Sequence, residues 1–213
     1  AEELRQGHGV EVTTISLDLS EPDAAQRLWN ETDRRGLHVD VLVNNAGFGT
    51  GKDVADDAPE RLEQEVRLNC LAVVGLTARY LPAMRERGSG TIINISSAAA
   101  FQPMPHMAVY GATKAFVLSF TEALWRETRR DGIRVLAVCP GSTDTPFFQV
   151  ADEGTVVGRL RSTRQVLDTT MRALRGSGPS VVDGLGNAVV ARFLTRVLPQ
   201  RALLAAVDRV FRR

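Results

Sequence analysis

Val39-Asp40-Val41-Leu42-Val43-Asn44-Asn45-Ala46-Gly47 is an apolar, β-branched stretch that ends in amide and small residues. Two further stretches have the same character, Thr91–Ser97 and Ile133–Gly141. None of them alternates polar with apolar residues, which is the pattern of strands buried on both faces of a parallel sheet. The sequence therefore predicts an α/β fold with a doubly wound parallel sheet between two layers of helices.

The carboxyl ends of these three strands carry the first candidate site residues. Ligands of such sheets bind in the crevice outside the carboxyl ends of the strands. Asn45, Ser97 and the pair Pro140-Gly141 stand at those ends. We therefore expect these residues to border a ligand crevice.

Tyr110 and Lys114 form a second candidate feature, within Tyr110-Gly111-Ala112-Thr113-Lys114. Four residues make about one helical turn, so the two side chains share a face of the helix. A phenol with a pKa near 10 is a poor proton donor or acceptor at neutral pH. A neighbouring ammonium favours the phenolate and brings the phenol pKa towards the working range. The pair therefore indicates acid–base chemistry; the alternative is a surface helix with a partly buried tyrosine.

With these residues in place, the chain resembles the short-chain dehydrogenases/reductases of the Tyr-x-x-x-Lys type. The resemblance runs from about Val10 to Thr145, and its matching elements occur in the family's order: Asn44-Asn45-Ala46-Gly47, Asn69, Ser97, Tyr110, Lys114 and Pro140–Thr145. It implies a Rossmann-like fold and an NAD(P)-dependent enzyme that interconverts a carbonyl and a secondary alcohol.

The resemblance also implies the catalytic roles. Tyr110 would exchange a proton with the substrate oxygen, and Lys114 would lower the Tyr110 pKa and bond the nicotinamide ribose. Ser97 would orient the substrate oxygen and stabilise charge on it. Ser96 is the rival hydroxyl, but neighbours on a strand point to opposite faces. Asn69 would hold a relay water; the alternative is an amide that bonds its own helix backbone.

Cofactor contacts follow from the same resemblance. Asp18-Leu19 would contact the adenine, although a solvated turn aspartate is the alternative for Asp18. Asn45, Ala46 and Gly47 would let the backbone approach the adenine-side ribose. The nicotinamide carboxamide would be wrapped by Pro140, Gly141, Thr143 and Thr145. We expect NADP or NAD as the cofactor, with NADP preferred, and no metal site.

The amino-terminal part of the chain departs from the family. The glycine-rich turn that receives the pyrophosphate at a helix N-terminus has no counterpart at the start of any strand–helix unit. We expect a strand over 10–18 that lacks its neighbour, and a strand 39–43 with a bare apolar edge. We also expect the natural protein to carry roughly 45 more amino-terminal residues, the size of one βαβ unit. The 213 residues would then form one incomplete NAD(P)-binding domain without useful cofactor binding of its own.

The composition fits a single domain and argues against a nucleic-acid-binding, secreted or membrane-spanning protein. With 213 residues and 44% hydrophobic content the chain can bury a sizeable core, and a net charge of +1 gives no case for nucleic acid. Cys70 and Cys139 lie in apolar contexts that suit core thiols in a reducing cytoplasm. No signal peptide or run of about 18 apolar residues occurs, so we expect a cytoplasmic protein.

The remaining segments predict elements and partners more coarsely. Beyond the strands named above, helices are expected over 22–35, 59–86, 109–130 and 163–175, with a short strand at 180–182. In the family, the helices at 59–86 and 109–130 pair between subunits, which implies a homodimer or homotetramer.

Apolar residues near the nicotinamide side predict a hydrophobic substrate. Phe101, Met104 and Met107 follow one strand end, and Phe147 and Phe148 follow the next. They fit an apolar pocket, and they equally fit the packing of a lid or an interface. His106, in the same segment, is expected to be a loop residue rather than a catalytic base.

The tail from Asn187 to Arg213 repeats apolar residues at helical spacing beside arginines. A basic amphipathic helix can lie on an anionic membrane. It can equally close the active site or an oligomer contact, which is the reading we favour.

Two functions from different classes remain. The first is an oxidoreductase that acts on a small carbonyl or alcohol. The second is a non-catalytic dinucleotide sensor or scaffold on the same fold. The set of Asn69, Ser97, Tyr110 and Lys114 favours the first, because a sensor needs no proton relay.

Overall fold

The computed structural model describes residues 1–147 and 160–212. Its sheet has four strands, β1 (Val41–Asn44), β2 (Gly90–Ile95), β3 (Ile133–Cys139) and β4 (Ser180–Val182). They lie in the order β1-β2-β3-β4, and every neighbouring pair is parallel. The predicted parallel sheet is confirmed, and its carboxyl ends meet at one edge.

Helices alternate with these strands along the chain. The α-helices are α1 (Glu2–His8), α2 (Ala24–Arg34), α3 (Pro59–Val66), α4 (Ala72–Arg87), α5 (Ala108–Glu127), α6 (Thr163–Leu174), α7 (Leu185–Val189), α8 (Thr195–Val197) and α9 (Gln200–Phe211). Short 3-10 turns occupy Val54–Asp56 and Ala98–Phe101, and π-helical turns occupy Arg67–Leu71 and Val190–Leu194. The helix predicted over 59–86 is thus one helical run interrupted by a π-turn.

The two faces of the sheet are covered by different helices. On one face, Ile92 and Val135 pack with Tyr80 and Met84 of α4 and with Leu124 of α5. On the opposite face, the neighbouring residues of β2 and β3 pack against α6 through the partly buried side chains Val166, Ala173 and Leu174. The sheet lies between two helical layers, as the unalternating strand sequences predict.

The strand expected over 10–18 is wrong, because this segment has no regular secondary structure. A strand is held by ladder hydrogen bonds to a neighbour, and no described strand pairs with this segment. The predicted bare edge is observed at β1, where Val41 and Val43 are 54% and 51% exposed. Val43 pairs in register with Ile93, which packs against α6, so both valines lie on the α6 face of the sheet.

Membrane-spanning geometry is missing from the described residues, since none of their helices has the length and apolar character needed to cross a bilayer.

Candidate active site

The end of β2 separates two serines that are neighbours in sequence. The Ser96 hydroxyl points inward and donates to the Lys114 carbonyl at 2.7 Å. The Ser97 hydroxyl points the other way, accepts from the Ala99 amide at 3.1 Å and acts on the Tyr110 phenol, whose pKa it lowers. Strand alternation therefore places Ser97, not Ser96, beside the tyrosine.

Tyr110 and Lys114 lie one turn apart near the start of α5. The Lys114 Nζ is 5.8 Å from the centroid of the Tyr110 ring, and it donates to the Ile95 carbonyl at 2.9 Å. The lysine side chain is 6% exposed, so its ammonium is held between α5 and the end of β2. Among the residues that the structure describes, this is its one hydrogen bond, which leaves two of its three N–H donors for other partners.

Burial governs the acidity of both groups. It raises the pKa of the Tyr110 phenol to about 12, against the hydrogen bond from Ser97 that lowers it. It lowers the pKa of the Lys114 ammonium to about 8. We expected the lysine to draw the phenol pKa downward, and the direction here is opposite. The reason is that burial strips the phenol of water, which disfavours the charged phenolate.

Asn69 lies in the π-turn between α3 and α4, and its side chain is 1% exposed. Its Nδ2 donates to the Phe48 carbonyl at 2.8 Å and to Thr113 Oγ1 at 3.0 Å, while its Oδ1 accepts from the Phe48 amide at 3.2 Å. The amide therefore ties the loop after β1 to α5, and these hydrogen bonds reach across the structure rather than along its own helix.

The loop after β1 approaches the site through its glycines. A Cβ at Gly47 would lie 2.8 Å from Asn69 Oδ1 and 3.4 Å from Lys114 Nζ. Asn45 and Ala46 are exposed at the strand end, whereas Asn44 is buried and donates to Asn94 across the sheet. Gly47 is thus needed for the loop to pack closely against Asn69 and Lys114, while the exposed main chain at Asn45 and Ala46 is accessible to a ligand.

The segment after β3 forms the other side of the crevice. The Pro140 carbonyl accepts from Ala98 at 2.8 Å, which joins this segment to the residues after Ser97. The hydroxyls of Thr143 and Thr145 donate to the carbonyls of Gly141 and Thr143 at 3.0 and 3.4 Å. These contacts hold the backbone in tight turns at the sheet edge.

Asn187, which sequence reasoning missed, packs against this segment from α7. A Cβ at Gly141 would lie only 2.2 Å from the Asn187 Nδ2. That nitrogen donates to the Asp183 carbonyl at 2.8 Å. The side chain thereby closes the back of the turn at Gly141.

Asp18 and Leu19, the two residues expected to contact the adenine, lie in the segment before α2. Asp18 Oδ1 accepts from the Ser20 amide and hydroxyl at 2.9 and 2.7 Å, and these bonds lower the pKa of the Asp18 carboxyl. Asp18 therefore caps a turn, yet it also lines an open pocket with Ser20, Phe48, Arg61, Gln64 and Leu68. Leu19 packs against the core cluster beneath β1.

Apolar side chains pack beside the tyrosine. Met104 and Met107 belong to a buried cluster, against which Tyr110 packs together with Val207 and Phe211 of α9. The Phe147 ring lies 5.4 Å from the Tyr110 ring between centroids. The tail therefore covers this side of the site with α9, while Leu185, Val189, Phe193 and Val197 stay exposed.

His106 connects α9 to the loop after β1 through two aspartates. Its Nδ1 lies 2.7 Å from an Asp53 oxygen and its Nε2 2.9 Å from an Asp208 oxygen. It has a left-handed backbone with φ of 65°, and both aspartates raise the pKa of its imidazole. His106 is a loop residue, as predicted, but its two partners lie 53 and 102 residues away and could not be predicted from sequence spacing.

Glu65 is the second residue that sequence reasoning missed. Its side chain is fully buried, one turn before Asn69 on the same helical run. Burial raises the pKa of its carboxyl to about 7. The spacing of four residues from Asn69 was a usable signal, since it places both side chains on one face.

The remaining observations concern the two cysteines and metal-ligating side chains. Cys70 and Cys139 are free and buried, as expected for core thiols. The described residues contain no group of three or more His, Cys, Asp or Glu side chains that could hold a metal ion.

A parallel sheet with helices on both faces, and polar side chains gathered at its carboxyl edge, defines a Rossmann-like α/β protein. The family model for short chain dehydrogenases matches residues 1–155, and the chain belongs to that family.

Three similar proteins illustrate the relationship. A putative ketoacyl reductase of Streptomyces coelicolor is 41% identical over 147 residues, covering 68% of this chain and 56% of its own. The very-long-chain 3-oxoacyl-CoA reductase of Mus musculus is 35% identical over 151 residues, covering 69% and 48%. A short-chain dehydrogenase of Sphingobium yanoikuyae, solved in complex with NADPH, superposes with a TM-score of 0.81 at 28% identity, covering 96% and 79%. The chain thus spans about half the length of the curated relatives it matches.

Proposed function

We propose that the protein is an NAD(P)-dependent oxidoreductase that interconverts a carbonyl and a secondary alcohol, with Tyr110 as the general acid and base. The observation that carries the proposal is the Tyr110 phenol with the Ser97 hydroxyl acting on it and the Lys114 ammonium buried one turn away. A non-catalytic binding protein has no need for two hydroxyls and an ammonium gathered at a strand end.

Each of these residues has a distinct task in the proposed reaction. Tyr110 gives its proton to the substrate oxygen during reduction and takes it back in reverse. Ser97 donates to the same oxygen and stabilises charge that develops on it. Lys114 places a positive charge beside the phenolate that remains, and Asn69 holds the loop that borders both. A bound nicotinamide supplies the hydride.

The residues present fit a nicotinamide nucleotide at the crevice. The exposed main chain at Asn45 and Ala46 and the remaining N–H donors of Lys114 suit a ribose, and the turns over Pro140–Thr145 suit a carboxamide. We propose NADP as the preferred cofactor, which the NADPH in the Sphingobium yanoikuyae relative supports. Asp18 and Leu19 would contact the adenine side.

We propose a hydrophobic ketone or alcohol as the substrate. Met104, Met107, Phe147, Val207 and Phe211 give the Tyr110 hydroxyl an apolar neighbourhood. Two relatives are named as reductases of ketoacyl or 3-oxoacyl compounds, which carry a ketone on an acyl chain. We further propose a cytoplasmic homodimer or homotetramer.

Tyr110→Phe tests the function. We expect turnover to fall by about 10²- to 10⁴-fold, the usual contribution of a positioned acid, because the variant cannot move the proton. The affinity for NADPH, measured by fluorescence titration, should change less than about twofold, since the ring remains. The other tyrosine, as Tyr80→Phe, is the matched control.

The assay should use the protein as its gene encodes it and a panel of 3-oxoacyl and other apolar ketones, followed by NADPH absorbance. If the wild type binds NADPH but reduces no member of the panel, the protein is a dinucleotide sensor or scaffold instead. Full turnover by Tyr110→Phe would exclude the proposed mechanism.

A further inference from the structure

The Glu65 carboxyl is a buried titratable group that the proposed reaction does not use. Its side chain has no exposed surface. A carboxylate is expensive to bury without full hydrogen bonding, so a group in this position calls for a physical reason.

Glu65 has one hydrogen-bonded oxygen and one without a partner. Its Oε2 accepts from Thr50 Oγ1 at 2.9 Å. Its Oε1 accepts no hydrogen bond from the described residues. An unpartnered oxygen is tolerated better on a neutral acid than on a carboxylate, and desolvation accordingly raises the Glu65 pKa to about 7.

Charged and titratable groups face Glu65 from each element around it. Arg61 lies on its own helix and favours the carboxylate, whereas Asp57, just before that helix, opposes it. From the other side, Glu65 acts on Tyr110 and Lys114 of α5 and on Cys70 of the π-turn, raising the pKa of each. Its charge is therefore felt at the proposed proton donor.

The Thr50 partner belongs to a loop that touches the catalytic ring. A Cβ at Gly49 would lie 2.7 Å from Tyr110 Cδ2, so the glycine backbone rests directly on the ring. Asn69 holds Phe48, the residue before Gly49, by both its amide and its carbonyl. Glu65 holds Thr50, the residue after it. Two side chains one helical turn apart thus fix the loop on both sides of Gly49.

We propose that Glu65 is a positioning residue that, through Thr50, holds Gly49 against the ring of Tyr110 and so sets the place of the proton donor. This proposal rests on the proposed function. The neutral acid is the form that the buried site accommodates. Ionisation places an unbalanced charge beneath the loop and raises the Tyr110 pKa further, so both effects oppose catalysis at alkaline pH.

Four variants test the proposal. Glu65→Ala and Thr50→Val remove the contact from either side. Glu65→Gln keeps a neutral acceptor for Thr50, and Thr50→Ser keeps the donor. Glu63→Gln is the matched control, because Glu63 lies on the same helix with its side chain 65% exposed and paired with Arg67.

Two readouts are needed, and one does not depend on turnover. Hydrogen exchange of the amides of residues 47–50 should speed up by about tenfold or more in Glu65→Ala and Thr50→Val, since local opening becomes easier. In the same variants kcat should fall by about 10- to 100-fold, the effect of a misplaced reacting group, with little change in KM. Glu65→Gln and Thr50→Ser should restore both.

The pH profile separates positioning from mere stability. The wild type should lose activity and loop protection as pH rises through about 7, because Glu65 then ionises. Glu65→Gln should lack that step, and Glu63→Gln should keep it.

The outcomes are distinguishable. Unchanged exchange in both Glu65→Ala and Thr50→Val overturns the proposal, and so does faster exchange without any loss of kcat. An identical pH step in Glu65→Gln also overturns it. If the wild type reduces no carbonyl, the proposed function has failed instead, and the exchange data alone decide whether Glu65 anchors the loop.

Discussion

Gly49 fixes the distance between the loop after β1 and the ring of Tyr110. The Cβ of any other residue would lie 2.7 Å from Tyr110 Cδ2 and 3.2 Å from Phe147 Cζ. Both atoms belong to rings packed in place, so neither can yield at low cost.

Gly49→Ala should therefore push the Tyr110 ring out of position. We expect kcat to fall by about 10- to 100-fold, and the free energy of unfolding to fall by about 1–3 kcal/mol from overpacking. Steady-state kinetics and urea unfolding measure the two effects. Gly186→Ala is the control, since a Cβ there meets nothing within 4 Å. Wild-type kinetics in Gly49→Ala would show that the loop does not position the ring.

At this scale the sequence predicts local geometry well. The approach of Tyr110 to Lys114 follows from helical spacing, and the choice of Ser97 over Ser96 follows from strand alternation. The bond between Glu65 and Thr50 and the contact of Asn187 with Gly141 could not be predicted. They join residues that are distant in sequence, and only the packed fold decides which loop meets which helix.

The helix α9 is the element that covers the apolar side of the site, and His106 fastens it. The imidazole bridges Asp53, after β1, and Asp208, on α9. Asp208 also pairs with Arg212 at 2.6 Å. Because the aspartates raise the pKa of His106 above its usual 6.5, the protonated bridge is fully present below pH 6.5 and is lost as pH rises through the folded-state value.

His106→Asn should loosen α9 and remove this pH dependence. Hydrogen exchange over 200–211 should rise by about two- to fivefold at pH 6, the scale of a partly exposed ion pair. In the wild type, exchange corrected for its intrinsic pH dependence should rise by a similar factor between pH 6 and 8.5. His38→Asn, at an exposed position, is the control. A wild-type profile in His106→Asn would rule out the fastening role.

The bounds of helices and strands that pack against other elements were predicted to within a few residues. Helix α5 runs over 108–127 where 109–130 was expected, and β4 matches its predicted bounds of 180–182. The strand expected over 10–18 failed because pattern alone cannot supply a neighbouring strand. The π-turn at 67–71 was also unforeseen, since it has no signature in the spacing of apolar residues.

The whole molecule presents an exposed apolar surface where the π-turn meets α5. Leu71 and Phe116 are 61% and 42% exposed, and the Phe116 ring stacks on Phe120 with 6.1 Å between centroids. The π-turn and α5 pack together, so the two exposed side chains belong to adjoining elements. This surface supports the proposed pairing of subunits through these helices.

A double variant, Leu71→Lys with Phe116→Lys, should convert the proposed oligomer to monomers. Two buried charges in a subunit interface would cost several kcal/mol, enough to shift the association constant by about 10³-fold or more. Light scattering after size exclusion measures the mass. Leu185→Lys is the control, because Leu185 is 89% exposed on the tail. An oligomer that survives the double variant must use another surface.

The π-helical turn over Arg67–Leu71 gives the run from Pro59 to Arg87 one residue more than a uniform α-helix would need. Losing any single residue there would close the turn and swing everything before it by about 100° around the axis. Glu65 would then leave Thr50 while Tyr80 and Met84 kept their places in the core. Among this chain's relatives, a deletion inside the turn should therefore be rarer than a substitution there.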